Sequence, residues 1–533
     1  MRSVAIIGCG PRGLTVAERL LSMADAPIRI EIFEPNAPGS GAVWRTDQSP
    51  QMLMNTASSQ VTAFMDPTVE LRGPLRQGPT LHEWAHSSAA THWLPPGLHN
   101  LAESLQPEEP AQRRFYGHYL EWHFSNITNE QVRVHKSKVT RVAPFGDQWQ
   151  VEAPAATVRV DAVVLALGHV VAAAPPDAQV LLDYAKDKDA LHILPGNAAD
   201  ANLSTISAEE TVLIKGLGLG FFDYLAELTL GRGGEFRDGK YHPSGREPRI
   251  VAGSPGGLPY RGKREMTTRY TPEHLTKQAV EALIAKHQTL DFMRDIWPLA
   301  VAEVEHHFPS VDWQRVLHPP VNMDRWPQWL QNYLREDARW CEPIRDCWDA
   351  IELSLAHLSA HSFSEHFQGF FTAVNSSNLM GPPQMRLEQL SQLIAAGVVE
   401  LPGPDFVVDP DLSGTFVGYS KRNPTKRYPS RVVIEARVPN PDITVTGDPL
   451  LRQLIDDELV VERVRTDSTG TAHTGAVDIH EPSMQVRNQP GLYCFGISVD
   501  GVTWPAAETA EPYTNHGILR RADAIAAAIL GVA

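Results

Sequence analysis

Val4-Ala5-Ile6-Ile7-Gly8-Cys9-Gly10-Pro11-Arg12-Gly13-Leu14 sets a short, largely β-branched run directly against a glycine-rich turn. Beyond it Leu14, Ala17, Leu20 and Leu21 recur at helical spacing, and Ile28 to Phe33 alternates into a second strand. A buried parallel strand ends at a tight turn in this way, so the opening reads as strand, turn, helix, strand. Gly8-Cys9-Gly10-Pro11-Arg12-Gly13 matches G-x-G-x-x-G, and its place between a strand and a helix gives the match its weight. Gly8 permits the tight turn, Gly10 lets a pyrophosphate approach the backbone, Gly13 lets helix and strand pack closely, and the helix N-terminus faces the phosphate charge. Glu34 ends the second strand where a carboxylate accepts hydrogen bonds from the ribose hydroxyls of a dinucleotide.

A second unit of the same kind begins at Thr211 to Ile214. Lys215-Gly216-Leu217-Gly218-Leu219-Gly220-Phe221 is again a glycine-rich turn between a strand and a helical stretch, although its third glycine comes one position early. Gly216, Gly218 and Gly220 are therefore the candidate cradle of a nicotinamide nucleotide. The next strand, Arg249 to Ala252, leads to Ser254 and not to a carboxylate, with Arg246, Arg261, Lys263 and Arg264 in the loops nearby. A 2′-phosphate needs cationic donors and would be repelled by an acidic ribose ligand, so NADPH is expected over NADH, with Arg246 and Arg261 as its grip.

The first fingerprint is assigned to FAD by an ordered set of segments. A later apolar strand ends Ala166-Leu167-Gly168-His169, and a closing strand runs Gly491-Leu492-Tyr493-Cys494-Phe495-Gly496 before an Ala-rich helix at 518–530. In flavoproteins with two dinucleotides these are the points where the chain leaves and rejoins the FAD domain, which makes Gly168 and Gly496 cofactor-binding candidates. The predicted fold is α/β, two dinucleotide-binding (Rossmann-like) domains with a helical insertion. The FAD domain takes 1–200 and 481–533, the NAD(P) domain takes 205–270 and 386–480, and 271–385 is the helical insert. Val132 to Val142 with Trp149 to Val160 reads as a β-meander, and the Pro/Ala-rich stretch 171–205 as a linker.

The bulk properties exclude several classes. A chain of 533 residues with 42% hydrophobic and 21% charged residues has material for a sizeable core, and its net charge of −16 leaves no basic face for nucleic acid. Four cysteines, Cys9, Cys341, Cys347 and Cys494, match neither a redox CxxC nor a zinc pair, which fits a reducing, cytoplasmic setting and disfavours dithiol flavoenzymes. No run reaches the roughly 18 apolar residues of a membrane span, and Val4 to Ile7 is too short for a signal-peptide core. His118, His123 and His169 have no partner at ligand spacing, so no metal is expected. No nucleophile elbow or Ser-His-Asp set supports hydrolysis.

GCGPRGLTVAERLL, EPNAPGSGAVW, LMNT, RRFYGHYLEW, VLALGH, GLGLGFFDYLAELTLGRGG, PSGREP and GPPQMR, which span most of the chain outside the helical insert, resemble the bacterial FAD-NAD(P)-binding family. That family is similar to the flavin-dependent N-hydroxylating monooxygenases, including the aspartate N-hydroxylases that make nitrosuccinate. The resemblance implies FAD, NADPH, molecular oxygen and a small amine or amino-acid substrate, with oxygen transfer to nitrogen from a flavin C4a-hydroperoxide. It implies that Gly41 to Trp44 and Met54-Asn55 lie beside the isoalloxazine, with Asn55 bonding the flavin or nicotinamide and Trp44 walling the pocket. Val139 would meet adenine through its main chain. Gly496-Ile497 departs from the Gly-Asp that many relatives place over the ribityl chain. A carboxylate on the substrate would be held by an arginine such as Arg325, Arg386 or Arg437. An FAD-dependent dehydrogenase or reductase, and a flavin-binding protein without turnover, fit the same fingerprints.

Overall fold

The computed structural model describes residues 1–170, 172–263, 269–319, 321–437 and 441–532, so Arg264 lies outside the described residues. Strand β1 (Ser3–Ile7) is buried on both faces and leads into helix α1 (Pro11–Met23). Pro11 opens that helix, where a missing N–H costs nothing, and Leu14, Ala17 and Leu20 turn inward. Strand β2 (Arg29–Phe33) pairs parallel with β1 in the register Val4 to Ile30 and Ile7 to Phe33. After α2 (Arg113–Ile127) come β3 (Val132–His135), parallel to β2, and β4 (Ala162–Leu165), parallel to β1 on its other side. Val132 to His135 was expected in the meander but forms the edge of the parallel sheet. An alternating Val-Arg-Val-His run looks the same in sequence at a sheet edge and in a hairpin. The meander itself comprises Arg141–Phe145, Gln148–Ala153 and Ala156–Val160.

The chain then crosses to a second sheet. The stretch expected as a linker carries helix α3 (Pro176–Lys186) and strand β5 (Leu191–Ile193). Its prolines do not break structure: Pro176 sits in the first turn of α3, a position that tolerates proline. Strand β6 (Thr211–Lys215), helix α4 (Leu219–Leu228) and strand β7 (Arg249–Gly253) form the second strand–turn–helix–strand unit. Helix α5 (Gln384–Ala395) with β8 (Val399–Glu400) and β9 (Val432–Glu435) complete a parallel sheet in the order β5-β9-β6-β7-β8. Val212, Ile214, Ile250 and Ala252 on one face pack under α4, α5 and the Trp326–Arg335 helix. Leu213, Val251 and Val433 on the other pack under α3 and a meander of Phe406–Pro410, Phe416–Ser420 and Asn423–Ser430. Strands covered on both faces explain their continuous apolar sequences.

Most of the helical insert has its own core, in which Phe292, Phe363, Phe367 and Phe371 are buried among Trp297, Trp340 and Trp504. Trp326, Leu330 and Leu334, inside the same stretch of chain, pack instead on the second sheet. Strands β10 (Ile479–His480), β11 (Gln485–Val486) and β12 (Leu492–Cys494) return to the first sheet, whose order is β10-β11-β12-β4-β1-β2-β3. Helix α6 (Gly517–Leu530) then packs along α1. The α/β class, the paired dinucleotide-type units and the helical insertion expected from the sequence are what the chain forms. Among the described residues no helix is long and apolar enough to cross a membrane.

Candidate active site

The first cradle is the turn between β1 and α1. Gly8 has φ +89°, and a Cβ there would collide with the carbonyl of Ala166; one at Gly13 would collide with the carbonyl of Gly8. A Cβ on Gly10 would meet only the Cα of Gly41, 3.9 Å away, so the space over Gly10 is open to a ligand. The N–H groups of Gly10, Arg12 and Gly13 have no partner among the described residues, and α1 carries no side-chain cap. Unpaired N–H groups at a helix N-terminus suit an anion, and the open space over Gly10 fits the pyrophosphate of FAD. Glu34 is buried, with Oε2 accepting from the Cys9 N–H at 2.8 Å and Oε1 from the Asn36 N–H at 2.9 Å. Both main-chain groups of Val139 are without hydrogen bonds among the described residues, as an adenine contact requires. Gly168 (φ +67°) follows β4 with open space beside it, and Gly496 (φ +104°) follows β12 with Arg12 packed 3.5 Å from where its Cβ would be.

The second cradle is built alike. Gly216 (φ +114°) and Gly220 lie against Ala436, with no room for a side chain, and Gly218 caps α4 beneath the ring of Tyr260. The N–H groups of Gly218, Leu219 and Gly220 are unpaired among the described residues. The turn sits at the carboxyl end of β6, between β9 and β7, where the strand order reverses, which is the ligand crevice of open α/β sheets. The phosphate grip expected from the sequence does not assemble here. Arg246 precedes β7, and the pairing of Thr211 with Arg249 and Lys215 with Gly253 places it at the opposite end of the sheet from the glycine turn. Arg261 is on the correct side, but it is buried with its guanidinium 3.2 Å from Glu336 and 4.6 Å from the centre of the Tyr333 ring.

The Leu53–Ala57 strand lies between the two domain cores, with Met52 buried in the second and Met54 in the first. Arg113 holds it by donating from Nε to Leu53 O at 3.0 Å while its Nη2 pairs with Asp223 of α4 at 2.7 Å. Arg386 donates to Gln51 O at 2.5 Å. Asn55, half-buried on this strand, has among the described residues a single 3.5 Å contact, with Thr56, so its amide is available to a ligand. Trp44, also half-buried, lies edge-on to Tyr116 at 4.9 Å. As carboxylate handles the arginines named from the sequence fare poorly. Arg386 is committed to Gln51 and Gln389, and Arg437 pairs with Asp177 and Glu435. Arg325 is exposed.

Three further residues carry no local signature. Arg12, at a variable position of the fingerprint, donates to Ala506 O at 2.8 Å and Glu508 O at 2.9 Å, fastening the cradle to the closing segment. Burial pulls its guanidinium down to about 10, countered by Glu508. In that segment burial pushes the Asp500 carboxyl up to about 7, and the Ala506 N–H at 3.3 Å opposes the shift. Lys263, read from sequence only as part of a phosphate grip, meets the insert and the closing segment. Burial and then Arg345 pull its ammonium down to about 8, against Glu511 and Cys341. It has no hydrogen-bond acceptor among the described residues, which leaves a cation available to an anionic ligand.

A family model described as FAD-NAD(P)-binding matches residues 5–170. The chain is 34% identical to an L-aspartate N-monooxygenase (nitrosuccinate-forming) of Streptomyces davaonensis, over 99% of this chain and 97% of that one. It is 32% identical to a nitrosuccinic acid synthase of Aspergillus oryzae, over 99% and 93%. Among solved structures an ornithine N-hydroxylase of Kutzneria sp. 744, with reduced FAD, NADP+ and L-ornithine, has 15% identity, 99% coverage of both chains and a TM-score of 0.50, a likeness of fold.

Proposed function

The chain belongs to the family of the nitrosuccinate-forming L-aspartate N-monooxygenases, and from that premise we propose that it uses FAD, NADPH and oxygen to oxidise the amine nitrogen of aspartate. The observation that carries the reading is the identity to the aspartate enzyme over 97% of its length, joined to two glycine turns that each present unpaired N–H groups at a helix N-terminus. When bound, FAD supplies the hydride acceptance and oxygen activation that no side chain provides. The protein supplies position. Gly10, Arg12 and Gly13 would hold the FAD pyrophosphate, Glu34 its ribose, and Gly218 to Gly220 the nicotinamide nucleotide. Asn55 would orient the reacting rings from the strand between the domain cores, and Trp44 would exclude water. Lys263 would take a substrate carboxylate, which orients the amine without touching it.

The amine must be uncharged to react, so its proton leaves before oxygen transfer. Each oxidation consumes one O2, one NADPH and one proton. The first turns the amine into a hydroxylamine and releases one water; the second turns the hydroxylamine into a nitroso group and releases two; the third, which nitrosuccinate requires, turns the nitroso group into a nitro group and releases one. The test is oxygen uptake by the FAD-loaded protein with NADPH and aspartate, other amino acids or diamines, with products identified by mass. We expect aspartate to stimulate uptake and to gain oxygen. Oxygenation of a diamine but of no amino acid would refute the substrate assignment, and flavin reduction without any oxygenated product would favour a dehydrogenase.

A further inference from the structure

With Arg246 at the far end of the sheet and Arg261 committed to Glu336, the 2′-phosphate needs another receptor. Gly216 of the second cradle donates to Gly253 O at 2.9 Å, so Ser254, the next residue, borders the turn that would take the pyrophosphate. In this class of fold the adenosine ribose lies at the end of the second strand, here β7. A carboxylate at that position would favour a free 2′-hydroxyl, whereas β7 ends at Gly253 and is followed by Ser254. Phe406 fills the space a side chain on Gly253 would need, so the ribose faces Ser254 and the turn after it.

That turn is bonded to a second loop. Gly257 N–H donates to Ser254 Oγ at 3.1 Å, Asp405 N–H to Pro255 O at 2.8 Å, and Lys421 N–H to Asp405 O at 3.0 Å. The 405–422 meander thereby sets Lys421 and Arg422 on the rim beside Ser254. Arg422 Nε lies 2.7 Å from Asp405 Oδ2, which neutralises that carboxylate and leaves both Nη groups without a partner among the described residues. The Lys421 ammonium has no partner among the described residues, and neither has the N–H of Gly256, around which space is open. Ser254 Oγ accepts from Gly257, and its own proton has no acceptor there. A hydroxyl donor, a backbone N–H and two cations on one rim form a receptor for a phosphate dianion.

We propose that the 2′-phosphate of NADPH is received by Ser254, Lys421 and Arg422, so that nucleotide choice is set by the meander turn and not by Arg246 or Arg261. This rests on the NADPH reading above. The test is calorimetric binding of adenosine 2′,5′-bisphosphate and of 5′-AMP to the FAD-loaded protein. The unaltered protein should bind the bisphosphate about a hundredfold tighter. Lys421→Ala and Arg422→Ala should each erase roughly tenfold of that difference, the loss of one charged hydrogen bond, while leaving 5′-AMP binding and flavin content in place. Arg246→Ala should change neither. Equal affinity of the unaltered protein for both ligands would overturn the NADPH reading and this assignment together. Discrimination that survives the double Lys421→Ala/Arg422→Ala change would overturn the assignment alone.

Discussion

Two glycines of the first fingerprint should separate folding from cofactor binding. Gly10 faces open space, with the nearest atom 3.9 Å from an added Cβ, whereas a Cβ on Gly13 would strike the carbonyl of Gly8. Gly10→Val should therefore give folded, colourless protein and Gly13→Val protein that does not accumulate, read as flavin absorbance per chain and as circular dichroism. A yellow Gly10→Val would place FAD elsewhere. Lys263 should appear in the pH dependence. Burial beside Arg345 holds its ammonium at about 8, opposed by Glu511 and Cys341, so the cation is present below that pH and fades above it. We expect the KM for aspartate to rise as pH climbs through 8. Lys263→Met should raise KM at pH 7 by roughly tenfold and flatten its profile. At this scale the sequence disclosed the glycines, because each is required by a fixed backbone geometry. It could not disclose Arg12 or Asp500, whose partners lie almost a chain length away or behind a buried loop, nor that Arg261 is spent on Glu336.

The Leu53–Ala57 strand links the two domain cores, and its grip through Arg113 and Asp223 is open to measurement. The pair is largely buried at 2.7 Å, and burial already pushes the Asp223 carboxyl upward against the pull of Arg113. Arg113→Met leaves that carboxylate without its cation and should cost about 2–3 kcal/mol in denaturant unfolding, somewhat less than a fully buried pair. Adding Asp223→Leu should recover part of the loss. Recovery would fail if Arg113 acted only through Leu53. Elements with a strong local period were legible: both strand–turn–helix–strand units and the closing helix fall where the apolar spacing puts them. Those whose partners are distant were not. Val132 to His135 pairs with β2 across a hundred residues, and α3 hides behind a pair of prolines that sequence reads as a stop. The receptor rim at Lys421 is of the same kind, since bonds from Ser254 and Pro255 to Phe406 and Asp405, 150 residues on, bring it to β7.

At the scale of the whole chain, the proposed FAD site depends on a return. The first sheet takes β1 to β4 from the first third of the sequence and β10 to β12 from its last tenth, with the second domain and the insert spliced between them. β4, buried on both faces, pairs with β12 through Val163 to Leu492 and Leu165 to Cys494. Along α1, α6 buries Ala522, Ile525, Ala526 and Ile529. Removing residues 479–533 would expose the apolar flank of β4, strip the cover from α1 and take away Gly496 and the carbonyls that hold Arg12. The truncated chain should be colourless and should aggregate. If the cause is lost contacts and not a shorter chain, order along the sequence should not matter. Arg2 already donates to the carbonyl of Ile529, so a short Gly/Ser linker can join the two ends. A permuted chain opened at the exposed turn around Leu412, outside both cradles, should then bind FAD as the natural order does. Flavin content of the two proteins decides the matter: a yellow truncation or a colourless but folded permutant would mean that the closing segment is not what completes the FAD site.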